Sequence, residues 1–278
     1  MVTLVLLTGA TRGIGRAAAI EMARKGVELA LVGRDAERVS AVARDAEAAG
    51  GGAPIHEHVA DLTLMSEVRS LAEEARERYG HIDVLANNAG AVFATREVTA
   101  EGFERTFALN HLAPFLLTNL LLDRLDGGRV VTTASDAHKV GRLDLDDLQS
   151  TRSFSAMRTY GTSKLCNILF TRELARRHPE LRANCLHPGV VRTGFGKNQN
   201  GLIKVALTLG GPFLRSPERG ARSLVWLALS DEAGALTGEY VSNEKVIAPS
   251  AQAQDGSLAE RLWERSAELA GLEVSAPV

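Results

Sequence analysis

Tyr160 and Lys164 stand four positions apart in Thr159-Tyr160-Gly161-Thr162-Ser163-Lys164, so on a helix the phenol and the ammonium share one face. A free phenol titrates near ~10 and is almost wholly protonated at neutral pH. A neighbouring lysine charge favours the phenolate, which brings the group closer to useful acid–base chemistry. The same spacing also occurs on ordinary helix surfaces, so the pair acquires meaning only from its surroundings.

A second candidate is the run Thr8-Gly9-Ala10-Thr11-Arg12-Gly13-Ile14-Gly15, between an apolar run, Val2–Leu7, and a helical composition, Gly15–Lys25. Glycines let a backbone turn tightly against a pyrophosphate, and a helix N-terminus offers unpaired N–H donors and a favourable dipole. The spacing is G-x-x-x-G-x-G rather than the common G-x-G-x-x-G, but the strand–loop–helix context is met. The next strand runs into Gly33-Arg34-Asp35, where such folds choose between NAD and NADP. An acid there holds ribose hydroxyls, whereas a guanidinium pairs with a 2′-phosphate. Both types are present. Arg34 comes first and Arg12 could flank the same phosphate, so NADP(H) is the preferred cofactor, with NAD(H) still possible.

Positioning these groups requires a regular framework. Strands are expected at Val2–Leu7, Glu28–Val32, His56–Val59, Val84–Ala86, Arg129–Thr133, Arg182–Leu186 and Glu239–Val241. Helices are expected at Gly15–Lys25, Ala36–Ala49, Met65–Tyr79, Phe103–Leu122, Tyr160–Arg177 and Glu218–Leu229. Apolar strands separated by helices imply a parallel sheet covered on both faces. With right-handed crossovers this is a doubly wound α/β Rossmann-type fold of about seven strands. No repeat or Pro/Ser linker divides the chain, so one domain over residues 1–278 is expected.

The 278 residues are 45% hydrophobic and 24% charged with a net charge of −2, enough for one large core. That balance gives no footprint for nucleic acid and no basic run for anionic lipid. Cys166 and Cys185, without CxxC spacing, read as packed, reduced thiols. No signal peptide opens the chain, and no apolar stretch is long enough to span a bilayer. A soluble cytoplasmic protein without a membrane anchor is the expectation.

Taken together, Thr8-x3-Gly13-x-Gly15, Asn87-Asn88-Ala89-Gly90, Ser135 and Tyr160-x3-Lys164 resemble the classical short-chain dehydrogenase/reductases over nearly the whole chain. More narrowly, Asn110-His111-Leu112-Ala113-Pro114-Phe115-Leu116-Leu117-Thr118, Asn167–Leu174, Leu186–Thr193 and the tail Tyr240–Leu272 resemble the retinol-dehydrogenase-like branch. The resemblance implies an oxidoreductase interconverting an alcohol and its aldehyde or ketone. Tyr160 would exchange the proton, Lys164 would hold the nicotinamide ribose and lower the Tyr160 pKa, Ser135 would bond the substrate oxygen, and Asn110 would position a relay water. Hydride passes directly between nicotinamide and substrate carbon, so the protein supplies orientation and electrostatics.

On the cofactor side the resemblance assigns Gly9, Gly13, Ile14 and Gly15 to the pyrophosphate and Asp61 and Leu62 to the adenine. It assigns Asn88, Ala89 and Gly90 to cofactor support, and Pro188, Gly189, Val191 and Thr193 to the nicotinamide pocket. Arg12 and Arg34 would read the 2′-phosphate.

Against the family pattern, Ser135 lies 25 positions before Tyr160, a wider gap than many members have; the extra segment, Gly141–Arg158, is shared with the retinol-dehydrogenase-like branch. Ala134 stands where a second serine is common, leaving Ser135 as that pair's sole candidate. The branch's membrane-anchored members carry an apolar N-terminal segment that is missing here, which counts against a retinoid substrate.

Substrate choice is assigned to 194–217, an apolar, glycine-interrupted segment expected to act as a lid over a lipophilic small molecule. Residues 251–278 form a helical tail whose Leu258, Leu262, Trp263 and Leu269 suit core packing or a subunit contact; a homodimer or homotetramer is possible.

His187 reads as structural, beside the cofactor. His56 and His58 share a strand face but lack the companions of a metal site, so no metal is expected. His138 lines the substrate mouth or lies exposed. Asp144, Asp146 and Asp147 read as a solvated loop, with a cationic partner as the lesser reading. Two alternative functions remain open at this point: a non-catalytic NADP(H)-sensing regulator, and a short epimerase or dehydratase reusing the Tyr-x3-Lys pair.

Overall fold

The computed structural model describes residues 3–190 and 215–273. Leu4–Thr8 (β1) shows why a parallel sheet forms: all five residues are buried. Leu4 and Leu6 join one apolar cluster, while Val5 and Leu7 join the other. Alternate side chains leave opposite faces of a strand, so a strand apolar at every position must be covered twice. Each fully buried Val or Leu contributes about 1.5–3 kcal/mol of transfer free energy.

The remaining strands are Glu28–Gly33 (β2), Ile55–Val59 (β3), Val84–Asn87 (β4), Arg129–Thr133 (β5), Arg182–His187 (β6), Tyr240–Ser242 (β7) and Lys245–Val246 (β8). They form one sheet in the order β3-β2-β1-β4-β5-β6-β7-β8, parallel throughout except for the antiparallel β7–β8 pair. The eighth strand exceeds the expected seven. It is two residues long and returns through Asn243 and Glu244, whose φ values of 54° and 60° make a tight hairpin turn lacking the usual glycine signal.

Helices Gly13–Arg24 (α1), Ala36–Ala48 (α2) and Pro217–Leu229 (α6) cover one face. The other is covered by Met65–Arg78 (α3), by α4, by Ala156–Arg177 (α5) and by Gly256–Ala270 (α7). Here α4 comprises Arg105–Phe107, a π-helical turn Ala108–Leu112, and Ala113–Leu120. Pro114 has no N–H to give the Asn110 carbonyl, which accounts for the widened turn at this point.

Helix α5 begins four residues before the expected Tyr160, so that tyrosine sits inside the helix rather than at its frayed end. Helix α7 belongs to the core: the Trp263 ring lies 5.0 Å from Phe115 and 5.8 Å from Phe170, and Leu262 is buried beside it. Its start is capped by Asp255, and Gly271 ends it in the left-handed conformation at φ 62°. No described helix is long and apolar enough to cross a membrane. The expected lid lies, for residues 194–214, outside the described residues.

Candidate active site

Chain order reverses between β1 and β4, and the crevice at the carboxyl ends of these strands is where ligands of such sheets bind. Thr8 ends β1. Its hydroxyl donates to the Ala86 carbonyl at 3.2 Å and accepts from the backbone N–H groups of Asn88 and Ala89 at 3.0 and 3.1 Å. Asn88 answers by donating its amide to the carbonyls of Thr8 and Gly9 at 3.0 and 3.3 Å. These bonds stitch the turn after β4 onto the glycine loop. A Cβ on Gly9, at φ +66°, would lie 2.8 Å from Ala89 Cα, and one on Gly15 would lie 2.1 Å from the Gly9 carbonyl oxygen. Only glycines permit this approach. Gly13 also takes positive φ, 51°, and Ile14 packs half-buried against the core.

Helix α1 opens from this loop with no side-chain cap at Arg12 and no acidic residue in its first turn. Its first N–H groups and dipole suit an anion. Beside them the Ala10 N–H donates to the Val32 carbonyl at 3.1 Å, which brings the end of β2 against the loop. Asp35 is committed to its own helix: it caps α2 through the Arg38 N–H at 3.2 Å and pairs with the Arg38 guanidinium at 3.0 Å. Arg12 and Arg34 are exposed and make no ion pair among the described residues. Asp61, after β3, accepts from the Thr63 N–H at 3.0 Å, and Leu62 is buried next to it. These features form a cradle that fits a nicotinamide dinucleotide.

The acid–base group lies farther along the crevice. Ser135 leaves β5 in an extended conformation and caps the 3-10 turn Asp136–Val140, its hydroxyl accepting from the Ala137 N–H at 3.1 Å. The same side chain hydrogen-bonds Tyr160. Lys164 is buried, its ammonium donating to the Thr133 carbonyl at 2.8 Å and lying 5.7 Å from the Tyr160 ring centroid. Asn110, wholly buried in the π turn, donates to the Ala91 carbonyl at 3.0 Å and to Ser163 Oγ at 2.9 Å, and accepts from the Ala91 N–H at 2.9 Å. A Cβ on Gly90 would lie 3.2 Å from both Asn110 Oδ1 and Lys164 Nζ. Four groups from three separate stretches of the chain thus converge.

The electrostatics correct one expectation. Burial pushes the Tyr160 phenol up to about 12, only partly opposed by the Ser135 hydrogen bond. Burial also pushes Lys164 down to about 7. The net direction for the tyrosine is therefore upward, because desolvation, which disfavours both charged forms at once, is the largest influence on it.

Pro188 and Gly189 follow β6 half-buried, Gly189 at φ +83°; Val191 and Thr193 lie outside the described residues. His138 is not exposed: it is a buried residue of the 3-10 turn. His56 bonds Glu28 and Arg78 at 2.7 Å each, and His58 bonds the Tyr79 hydroxyl at 2.8 Å. Asp144 pairs with Arg152 at 3.1 Å, and Asp147 accepts from the Thr151 and Arg152 N–H groups at 2.7 and 3.0 Å, so the inserted acids mainly order their own loop. Cys166 and Cys185 are buried free thiols, and burial holds both above the ordinary range.

Sequence reasoning overlooked the Thr8 hydroxyl, the Ser163 link and the Thr133 carbonyl. Thr8 and Ser163 lay inside the quoted motifs; a backbone carbonyl leaves no sequence signal. It also overlooked Asp136, which accepts from the Tyr240 hydroxyl at 3.1 Å and pairs with Lys139 at 3.0 Å.

The short chain dehydrogenase family model matches residues 3–201, and the chain belongs to the short-chain dehydrogenase/reductase family. It is an oxidoreductase acting on CH–OH or C=O groups. Within the family it falls in the retinol-dehydrogenase-like branch. Human retinol dehydrogenase 13 is 39% identical over 284 residues, covering 97% of this chain and 85% of the relative. A Streptomyces sp. (strain C5) protein, provisionally named daunorubicin C-13 ketoreductase DnrU, is 46% identical over 268 residues, or 96% of this chain and 92% of its own length. An uncharacterized Mycobacterium paratuberculosis protein of known crystal structure superposes with a TM-score of 0.80 at 32% identity, over 99% of this chain and 95% of that one. An alcohol dehydrogenase from Thermococcus sibiricus, solved with 5-hydroxy-NADP, gives a TM-score of 0.67 at 26% identity over 87% and 95% of the two chains.

Proposed function

We propose that the protein is an NADP(H)-dependent oxidoreductase interconverting a lipophilic alcohol and its aldehyde or ketone, with Ser135, Tyr160, Lys164 and Asn110 as its working residues. The observation that carries the reading is the convergence of these four side chains at the carboxyl ends of β4 and β5. When bound, the nicotinamide supplies or accepts the hydride. Gly9, Gly13, Ile14 and Gly15 would hold its pyrophosphate, and Asp61, Leu62, Asn88, Ala89 and Gly90 would line the adenine and ribose side. Pro188, Gly189, Val191 and Thr193 would flank the ring.

Ser135 Oγ bonds the substrate oxygen and aligns it with the Tyr160 hydroxyl. Tyr160, fully protonated at neutral pH, donates its proton to the developing alkoxide during reduction and takes it back during oxidation. Lys164, in its protonated form, would supply positive charge to the phenolate that results and would bond the cofactor ribose, while Asn110 holds the relay geometry behind it.

NADP(H) over NAD(H) is supported by the exposed guanidinium of Arg34, which makes no ion pair among the described residues, by Arg12 in the glycine loop, and by the engagement of Asp35 in capping α2. The 5-hydroxy-NADP of the Thermococcus relative points the same way. A lipophilic substrate is supported by the apolar sequence of 194–217, and by relatives named for retinol and for a daunorubicin ketone. A cytoplasmic location is supported by the two free, buried cysteines.

Separate titrations with NADPH and NADH, followed by turnover against lipophilic aldehydes and ketones, test the reading. Tight NADPH binding with consumption is expected. Failure to bind either nucleotide would overturn it.

A further inference from the structure

The peptide group joining Ser135 to Asp136 is gripped by two imidazoles. Its carbonyl accepts from His138 Nδ1 at 2.7 Å and from the His138 N–H at 3.0 Å. Its N–H donates to His187 Nδ1 at 3.1 Å. A carbonyl cannot donate, so His138 carries a proton on Nδ1. Its Nε2 then accepts from the Ser250 N–H at 3.0 Å. A backbone N–H cannot accept, so His187 Nδ1 is bare and its proton sits on Nε2, 3.8 Å from the Asp136 carboxylate. The two rings hold opposite tautomers, come from the 3-10 turn and from the end of β6, and leave no polar atom of that peptide unpaired.

We propose that His138 and His187 are positioning residues that clamp this peptide and so hold the Ser135 hydroxyl toward Tyr160. The inference rests on the reading of Ser135 as the group that orients the substrate oxygen. A peptide free to rotate would carry Ser135 with it, and a misplacement of about 1 Å in such a site can cost about 100-fold in rate.

The clamp is also sensitive to pH. Protonation of His187 Nδ1 sets two N–H donors against each other and releases the Asp136 N–H. Burial holds the His187 titration below its ordinary value; Arg215, Lys139 and His138 act in the same direction, and the Asp136 carboxylate opposes them. The Tyr240 hydroxyl, from β7, is bonded to that same carboxylate. The neutral, accepting form therefore persists to lower pH than it would in a free histidine.

Nitrogen-15 NMR of the full chain reads the tautomers without any substrate. Neutral His187 with its proton on Nε2, and His138 with its proton on Nδ1, are expected, and the Asp136 amide should shift as His187 titrates. A proton on Nδ1 of neutral His187 would overturn the clamp.

Kinetics on the most active panel carbonyl provide the second arm. His187→Ala should lower kcat about 10- to 100-fold with NADPH affinity nearly unchanged. His187→Asn places a non-titrating acceptor at the same position, so it should recover most of that loss and erase the acid limb of the kcat profile. An acid limb that survives in His187→Asn would also overturn the proposal. Ser135→Ala is measured in parallel: normal turnover there defeats the reading of the site, whereas the tautomers still judge the clamp.

Discussion

Lys164 Nζ donates to the Thr133 carbonyl oxygen at 2.8 Å, and Asn167 Nδ2 reaches the same oxygen at 3.2 Å. One backbone carbonyl at the end of β5 thus anchors two residues of α5, one turn apart. Ser135 follows Thr133 by two residues and Tyr160 precedes Lys164 by one turn, so this anchor sets the separation of the serine and tyrosine hydroxyls. The anchor also immobilises an ammonium in a site that burial makes costly for charge.

That cost is measurable as a pH dependence of stability. The Lys164 pKa is about 7 in the folded protein against an ordinary value near ~10.4 in the unfolded chain. Between these values the unfolded chain binds the extra proton, so this group makes the protein more stable as pH rises. The penalty is complete below about pH 7 and relieved toward about pH 10. Lys164→Met should remove that slope. Urea unfolding from pH 6.5 to 10 should show the difference between wild type and variant moving in favour of wild type by on the order of 2–4 kcal/mol. A difference independent of pH would show that burial does not depress the lysine.

Tyr160→Phe should lower turnover by about 100- to 10,000-fold, the usual contribution of a general acid, while NADPH affinity stays within about threefold. Because the phenol is held near about 12, its protonated form prevails across neutral pH. Tyr160 should leave the reductive rate flat from pH 6 to 10, and the oxidative rate, which needs the phenolate, should climb with pH. Initial rates in both directions check this. An oxidative rate already level at pH 7 would place the titration far lower.

Arg34→Ala should weaken NADPH binding by about 10- to 100-fold, the loss of one charge-assisted hydrogen bond with little screening, and NADH binding by less than about threefold. Fluorescence titration with each nucleotide separates the two. Equal losses would mean that Arg34 does not contact a 2′-phosphate.

Trp263→Ala should cost about 3–5 kcal/mol of stability, as aromatic truncations in a core do, because Phe115, Phe170 and the Arg177 guanidinium, 5.0 Å above the ring, all lose a partner. Glu264→Ala, on the exposed side of the same helix, should stay within about 0.5 kcal/mol. Urea unfolding of both variants tests whether α7 is core or appendage.

Much of the framework was legible because its signals are local. Apolar runs bounded by glycine mark parallel strands, and Tyr160 and Lys164 meet because a helix repeats every 3.6 residues. The short return strand β8 escaped notice because its turn uses Asn243 and Glu244 without glycine. The start of α5 was also legible, since Ala156, Met157 and Arg158 are good helix formers, but the expected helix began only at Tyr160.

Sequence alone determined the order of the first seven strands and the helices between them, the glycine loop at the end of β1, and the one-turn spacing of the tyrosine and lysine, since each depends on neighbours along the chain. Tertiary structure decided which distant groups meet: Asn110 with Ser163, Lys164 with the Thr133 carbonyl, and His187 with the Asp136 N–H. It also decided the direction in which Tyr160 and Lys164 titrate, and that His138 is buried rather than exposed. Burial and long-range hydrogen bonds belong to the packed arrangement of the whole chain, and no window of sequence contains them.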